Sequence, residues 1–174
     1  MERVFEPRYT WLDSVDSTNS YCMKLAQSGE PEGLVVASFF QKQGRGQRGN
    51  RWESESGKNL TFSLLLRPSF MKVEEQFDIS KIVALAISDW LKSNNVDACI
   101  KWPNDIYVGD KKIAGILIEN SFCSSTLDVS IIGIGLLLKT VFPMLTPRFR
   151  TLKTRTSAPA GACSAACRRS SRTT

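Results

Sequence analysis

The chain has 174 residues, with 23 Lys+Arg, 17 Asp+Glu and no His, and 42% of it is hydrophobic. That balance suits one globular domain with a real core, or a domain with an appendage. The missing imidazole excludes a Ser-His-Asp triad, a Cys-His pair and a His-Glu-x-x-His zinc site, so any catalysis falls to Lys, Arg, carboxylates, backbone dipoles or a bound metal.

Ser14-Val15-Asp16-Ser17-Thr18-Asn19 opens the first strong element. Small polar residues before an amphipathic stretch form a helix N-cap signal, and the helix is expected to run to about Ser28 with Gly29 at C′. Leu34 to Phe40 is a short, β-branched apolar run and reads as a buried strand. Residues 41–59 are rich in Gly, Arg and Gln and read as a loop. Leu60 to Leu66 reads as a strand closed by Arg67-Pro68. From Glu74 to Asn94, Phe77, Ile79, Ile82, Val83, Ala86, Ile87, Trp90 and Leu91 recur near a 3.6 period, which predicts the clearest helix. Strands follow at about 98–102, at 106–108 and 112–119 as a hairpin over Gly109-Asp110, and at 127–134. The mixed order predicts an α+β fold, one mixed sheet flanked by helices, with the helices expected on one side.

The text changes after Gly133-Ile134-Gly135-Leu136. The last 38 residues hold eight basic residues and no acid, whereas residues 1–136 hold 15 basic and 17 acidic ones. The net charge of +6 therefore belongs to the end of the chain and is no nucleic-acid footprint of the folded part. Residues 137–174 also lack periodicity and caps, so local consistency is lost there. The division is a folded unit over 1–136 and a basic tail over 137–174, disordered or, by preference, the product of a frameshift or artificial junction. The five cysteines are Cys22, Cys99, Cys123, Cys163 and Cys167. An odd number, with no apolar signal segment at the N-terminus, points to reduced thiols and a cytoplasmic setting. No apolar run reaches the ~18–20 residues of a membrane-crossing helix.

Three stretches carry chemistry. Gly44-Arg45-Gly46-Gln47-Arg48-Gly49 combines free backbone with bidentate cations suited to phosphate or carboxylate, yet fits neither a Walker A loop nor a Rossmann fingerprint. Lys101-Trp102-Pro103-Asn104-Asp105 places a cation beside a rigid turn. Asn104 and Asp105 alternatively cap their own backbone in an ordinary turn. Lys112-Ile113-Ala114-Gly115-Ile116-Leu117-Ile118-Glu119 carries small residues in a strand, where backbone or ligand approaches closely.

In order along the chain, Asp16-Ser17-Thr18-Asn19, Gln41 with the Gly-Arg-Gly-x-Arg-Gly loop and Trp52, Lys-Trp-Pro-Asn-Asp, Lys-Ile-Ala-Gly-Ile-Leu and Gly-Ile-Gly-Leu resemble the catalytic domain of biotin protein ligases, the biotin–[acetyl-CoA-carboxylase] ligases. The resemblance runs from about Tyr9 to Leu136. It implies the class II aminoacyl-tRNA synthetase/biotin synthetase-like fold. It also implies that biotin and Mg-ATP form biotinyl-5′-AMP, which a lysine of the biotin carboxyl carrier protein then attacks. By the same resemblance Ser17, Thr18, Asn19 and Gln41 bind the biotin head, and Gly115 and Ile116 line its tail. Arg45, Gly46 and Gln47 close over carboxylate and adenylate. Gly44, Arg48, Trp52 and Asn104 serve the nucleotide. Lys101 is the cation between biotin carboxylate and phosphate, with Arg45 and Arg48 as further catalytic cations. Asp105 orients Lys101 or assists the metal, whose ligands stay unknown. Gln47 stands where some members carry Arg. The family continues past Gly-Ile-Gly-Leu, where this chain departs, which predicts an incomplete domain and an uncovered apolar surface. About eight residues precede the match, too few for a winged-helix module, so no DNA partner is expected. A homodimer is compatible with the resemblance. A pseudo-ligase that only binds biotin, and a lipoate or octanoyl transferase relative, remain as alternatives.

Overall fold

The computed structural model describes residues 7–53 and 55–137. The tail over 138–174, with Cys163 and Cys167, lies outside the described residues. Strand β1 (Arg8–Leu12) precedes helix α1 (Thr18–Gln27), then β2 (Leu34–Ser38), β3 (Leu60–Leu66), helix α2 (Gln76–Ser93), β4 (Cys99–Lys101), β5 (Asp105–Val108), β6 (Lys111–Cys123) and β7 (Thr126–Leu136). The seven strands form one sheet in the order β1-β2-β3-β7-β6-β5-β4. Only β1 and β2 run parallel; every other neighbouring pair is antiparallel.

The helix signals work locally as expected. Ser17 caps α1, its hydroxyl accepting from the Ser20 N–H at 3.4 Å, and Gly29 takes a left-handed φ of +93° just past the end. Helix α2 is entered through a turn in which the Glu75 carboxylate accepts from the Lys72 backbone N–H at 2.9 Å. β1 is an unexpected strand. It is a five-residue edge strand with no fully buried residue, so its sequence carries little alternation to detect.

The helices do not share a side. Side chains alternate across a strand, so β3 feeds two cores. Leu65 packs with Cys22, Ala26, Val36 and Ile131 under α1. Leu64 and Leu66 pack with Ile79, Val83 and Ile132 under α2. The expectation of one covered face fails because both faces of β3 and β7 are apolar enough to receive a helix. On the α2 face the cover is partial. Ile82 and Phe70 are 63% and 84% exposed, and an apolar groove of about 640 Å³ runs between α2 and the even-numbered residues of β3 and β7. No helix among the described residues is long and apolar enough to cross a membrane.

Cys22 is fully buried in the α1 core, and desolvation pushes its thiol up to about 12. The thiolate is the reactive form, so burial and protonation both protect it. Cys99 and Cys123 are exposed. Site-resolved iodoacetamide labelling of the native chain at pH 8 is expected to modify Cys99 and Cys123 and to reach Cys22 only after denaturation. Fast labelling of Cys22 in the native chain would contradict this packing.

Candidate functional site

A cavity of about 330 Å³ opens on the α1 face of the sheet. Its floor is made by glycine. Gly115 pairs directly with Gly135 between β6 and β7, and Leu117 pairs with Gly133. The floor is bare but occupied. A Cβ on Gly133 would lie 2.2 Å from Asn19 Oδ1, and one on Gly135 would lie 2.3 Å from the Trp52 indole. Any side chain at either position would expel its neighbour.

At the closed end a polar network is buried. The Thr18 backbone N–H and hydroxyl donate to Gln41 Oε1 at 2.7 and 3.0 Å. The Ser63 hydroxyl donates to Asn19 Oδ1 at 2.6 Å. Asn19 Nδ2 donates to the Leu117 carbonyl at 3.1 Å and to Glu119 Oε2 at 2.8 Å. Asn19 thus has its amide fully engaged, and its orientation is fixed by donors and acceptors on opposite sides. Among the described residues, the Gln41 amide nitrogen and the Ser17 hydroxyl proton keep no protein acceptor, so they are the groups with hydrogen bonds to offer.

The basic loop is a tight hairpin. The Gly46 N–H donates to the Asn50 carbonyl at 2.7 Å and the Trp52 N–H to the Gly44 carbonyl at 3.0 Å. At its tip Arg48 and Gly49 both have left-handed φ, 55° and 82°. Gly44 does not face the cavity. Its hydrogen lies against the Trp52 backbone, where a Cβ would come within 2.4 Å of the carbonyl oxygen. Its role is to seat Trp52. Trp52 Nε1 is buried without a partner. A buried donor left unpaired costs about 1–3 kcal/mol, so Trp52 Nε1 is a group suited to a ligand acceptor.

The cations are arranged differently from the reading of the motifs. Along one register line stand Lys101, Asp105, Gly115 and Gly135, on β4, β5, β6 and β7. Lys101 is therefore three strand spacings, about 14 Å, from Gly135. It does not line the cavity, and its ammonium lies 4.7 Å from the Tyr107 ring centroid. The cavity lysine is Lys112. Its Nζ sits 2.7 Å from Asp105 Oδ1 and 5.7 Å from the Trp52 ring centroid. Asp105 thus orients Lys112, not Lys101. A β-bulge explains why sequence alternation hid this. Ile106 pairs with Ala114 but Tyr107 pairs with Lys112, leaving Ile113 extra. The added residue turns Lys112 to the same face as Gly115.

Ser17, Thr18, Asn19, Gln41, Arg45, Gly46, Gln47, Arg48, Trp52, Asn104, Gly115 and Ile116 all come to this cavity. Ile116 pairs with Ile134, whose side chain packs in the α2 core, so strand alternation leaves Ile116 offering backbone here. Asn104 is held by reciprocal bonds, its Nδ2 donating to the Ile116 carbonyl at 3.1 Å and its carbonyl accepting the Ile116 N–H at 2.9 Å. Arg51, Thr61 and the two β7 glycines also line the cavity, and Ser63 and Glu119 support it from just outside. Thr61 and Ser63 left one sequence signal, two small polar residues two apart in an apolar strand.

The family model for the biotin/lipoate A/B protein ligase family matches residues 11–136. The chain belongs to this family. It is 32% identical over 127 residues to the bifunctional ligase/repressor BirA of Bacillus spizizenii, covering 72% of this chain and 39% of that protein. It is 36% identical over 127 residues to the biotin–[acetyl-CoA-carboxylase] ligase of Paracoccus denitrificans, covering 71% and 52%. The biotin acetyl coenzyme A carboxylase synthetase of Helicobacter pylori, solved with bound biotinylated ATP, superposes with a TM-score of 0.63 at 29% identity, covering 75% of this chain and 61% of that one. The chain thus spans about two-fifths to one-half of the length of these curated relatives. The mixed sheet and its two helices are those of the biotin protein ligase catalytic fold, the class II synthetase-like fold.

Gly133→Ala tests the floor. The added methyl collides with a buried, fully bonded amide, and overpacking of this kind costs about 1–3 kcal/mol. Urea unfolding is expected to show that loss, which comes from the collision alone because Gly133 has no positive φ. A Gly133→Ala variant as stable as the parent would show that Asn19 is free to move.

Proposed function

We propose that this chain activates biotin with ATP to biotinyl-5′-AMP, for transfer to a lysine of a biotin carboxyl carrier protein in the cytoplasm. The observation that carries the reading is the cavity itself: a neutral hydrogen-bonding end, a side-chain-free floor, and four cations at the mouth. A ureido ring is neutral and needs paired donors and acceptors once buried. The Ser17 hydroxyl proton and the Gln41 amide nitrogen supply donors for its carbonyl oxygen. Thr18 holds Gln41 in place, and Asn19 shapes the wall. Gly115, Gly135 and the Trp52 indole form a slot for the apolar ring and tail, so Trp52 serves the biotin side as well as the nucleotide.

The reaction joins two anions. A biotin carboxylate oxygen attacks the α-phosphorus of ATP, the phosphoanhydride bond breaks, and pyrophosphate leaves. Fixed cations remove the repulsion and stabilise the developing charge without reorganising. Lys112, fixed by Asp105 at the slot, bridges carboxylate and α-phosphate. Arg45, Arg48 and Arg51 reach carboxylate and phosphates, with Gly46, Gln47 and Asn104 as backbone around them. In the second step a carrier lysine amine attacks the acyl carbon, loses its proton, and AMP leaves. Asp105 is the cavity's carboxylate and is already paired. The described residues contain no group of three carboxylate, thiol or imidazole ligands. Mg2+ would enter with ATP and neutralise phosphate charge, and Asp105, the carboxylate lining the cavity, is the residue that could share in holding it.

Biotin-dependent exchange between ATP and pyrophosphate tests the reading on the full chain. Lys112→Ala is expected to lower exchange by about 10²–10³-fold, the range for losing one preorganised charge partner. Lys101→Ala should stay close to wild type. Exchange absent from wild type, with biotin binding intact by calorimetry, would leave a binding fragment without the chemistry. Exchange supported by lipoate but not biotin would move the chain to the other branch of its family.

A further inference from the structure

Glu119 is a carboxylate beside a cavity built for anions. Unpartnered, it would repel a ligand carboxylate or phosphate. It does not line the cavity, but it touches two residues that do. Its Oε2 accepts from Arg45 Nη2 at 2.7 Å and from Asn19 Nδ2 at 2.8 Å. Those partners lie 74 and 100 residues away in sequence.

Asn19 is a fixed point. It is 4% exposed, bonded to Ser63 and Leu117, and backed by Gly133. The carboxylate is thus anchored to the rigid floor, and Arg45 is anchored to the carboxylate. A guanidinium has five N–H donors, and Glu119 engages one nitrogen, so the rest of the fork stays available to the cavity. The cations then fall into two kinds. Arg45 and Lys112 are each held by one carboxylate. Arg48 and Arg51, at and beyond the hairpin tip, have no ion-pair partner among the described residues.

We propose that Glu119 is a positioning residue that holds Arg45, and through it the Gly44–Trp52 hairpin, over the cavity before ligand arrives. The nature of the ligand rests on the ligase reading; the tether does not. The side chains of the pair are 47% and 32% exposed, so the pair contributes little to global stability. Its effect is on local opening of the hairpin.

The test is limited trypsin digestion of the full chain, followed by mass spectrometry at the Arg48–Gly49 and Arg51–Trp52 bonds. Wild type, Glu119→Gln, Arg45→Gln and the double variant form a cycle. Glu119→Gln keeps the shape and the acceptor for Asn19. Each single variant is expected to raise cleavage at these bonds by about fivefold, the scale of a 1 kcal/mol change in local opening, with the melting midpoint unchanged. The double variant should cleave no faster than either single. Unchanged cleavage in Glu119→Gln, or additive effects in the double variant, would overturn the proposal. In pyrophosphate exchange, Glu119→Gln should raise KM for biotin more than it lowers kcat, and should do nothing further in the Arg45→Gln background. Absence of exchange in wild type would sink the ligase reading while the cleavage result still decides the tether.

Discussion

The site depends on the absence of side chains at three positions. Gly115, Gly133 and Gly135 sit where strand alternation points every residue toward α1. A side chain at Gly133 or Gly135 would fill the space that Asn19 or Trp52 occupies, and one at Gly115 would press on Trp52 and Lys112. Because the floor is flat, Asn19 can reach across it to β6 and fasten the start of α1 to the middle of the sheet. Because it is bare, an indole can lie on it and still leave a cavity above. The polar network and the hairpin are both laid on this strip.

Charge is arranged on top of that floor in a graded way. Near the sheet each cation has a carboxylate partner, Asp105 for Lys112 and Glu119 for Arg45. Such pairs add little to stability when partly exposed, yet they fix direction. Farther out, Arg48 and Arg51 have no ion-pair partner among the described residues, so the field of the mouth is net positive where an anion first meets it. On the proposed ligase reading, a His-free site would work this way, through positioning and charge.

Much of the fold was legible because local chemistry announced it. Ser17 and Gly29 bracket α1, β3 has the bounds its apolar run suggested, and Gly109 turns the β5–β6 hairpin with a φ of +54°. What was not legible is non-local. The apolar alternation of β3 fits a helix on either face, so nothing in the text says that α1 and α2 take opposite sides. β1 earns its place only by pairing with β2. The motifs brought most of the cavity residues to notice, but the role at the cavity went to Lys101 and not to Lys112, the lysine that lines it. Lys101 and Lys112 both follow or precede strand residues, and only the bulge at Ile113 decides which one faces inward. Glu119 closes an ion pair across 74 residues, a separation that no local pattern encodes.

The alternation of β7 has a further consequence for how the chain finds its register. Odd positions, Gly133 and Gly135, are committed to the cavity, and even positions, Ile132, Ile134 and Leu136, to the opposite core. A slip of one residue against β3 or β6 would exchange these sets. Isoleucines would then press into Asn19 and Trp52 while glycines faced α2 with nothing to bury. The cavity is therefore a proofreading element of assembly. The same bare strip penalises a one-residue slip of β7, so the pressure to keep the cavity and the pressure to keep the register act on the same two glycines.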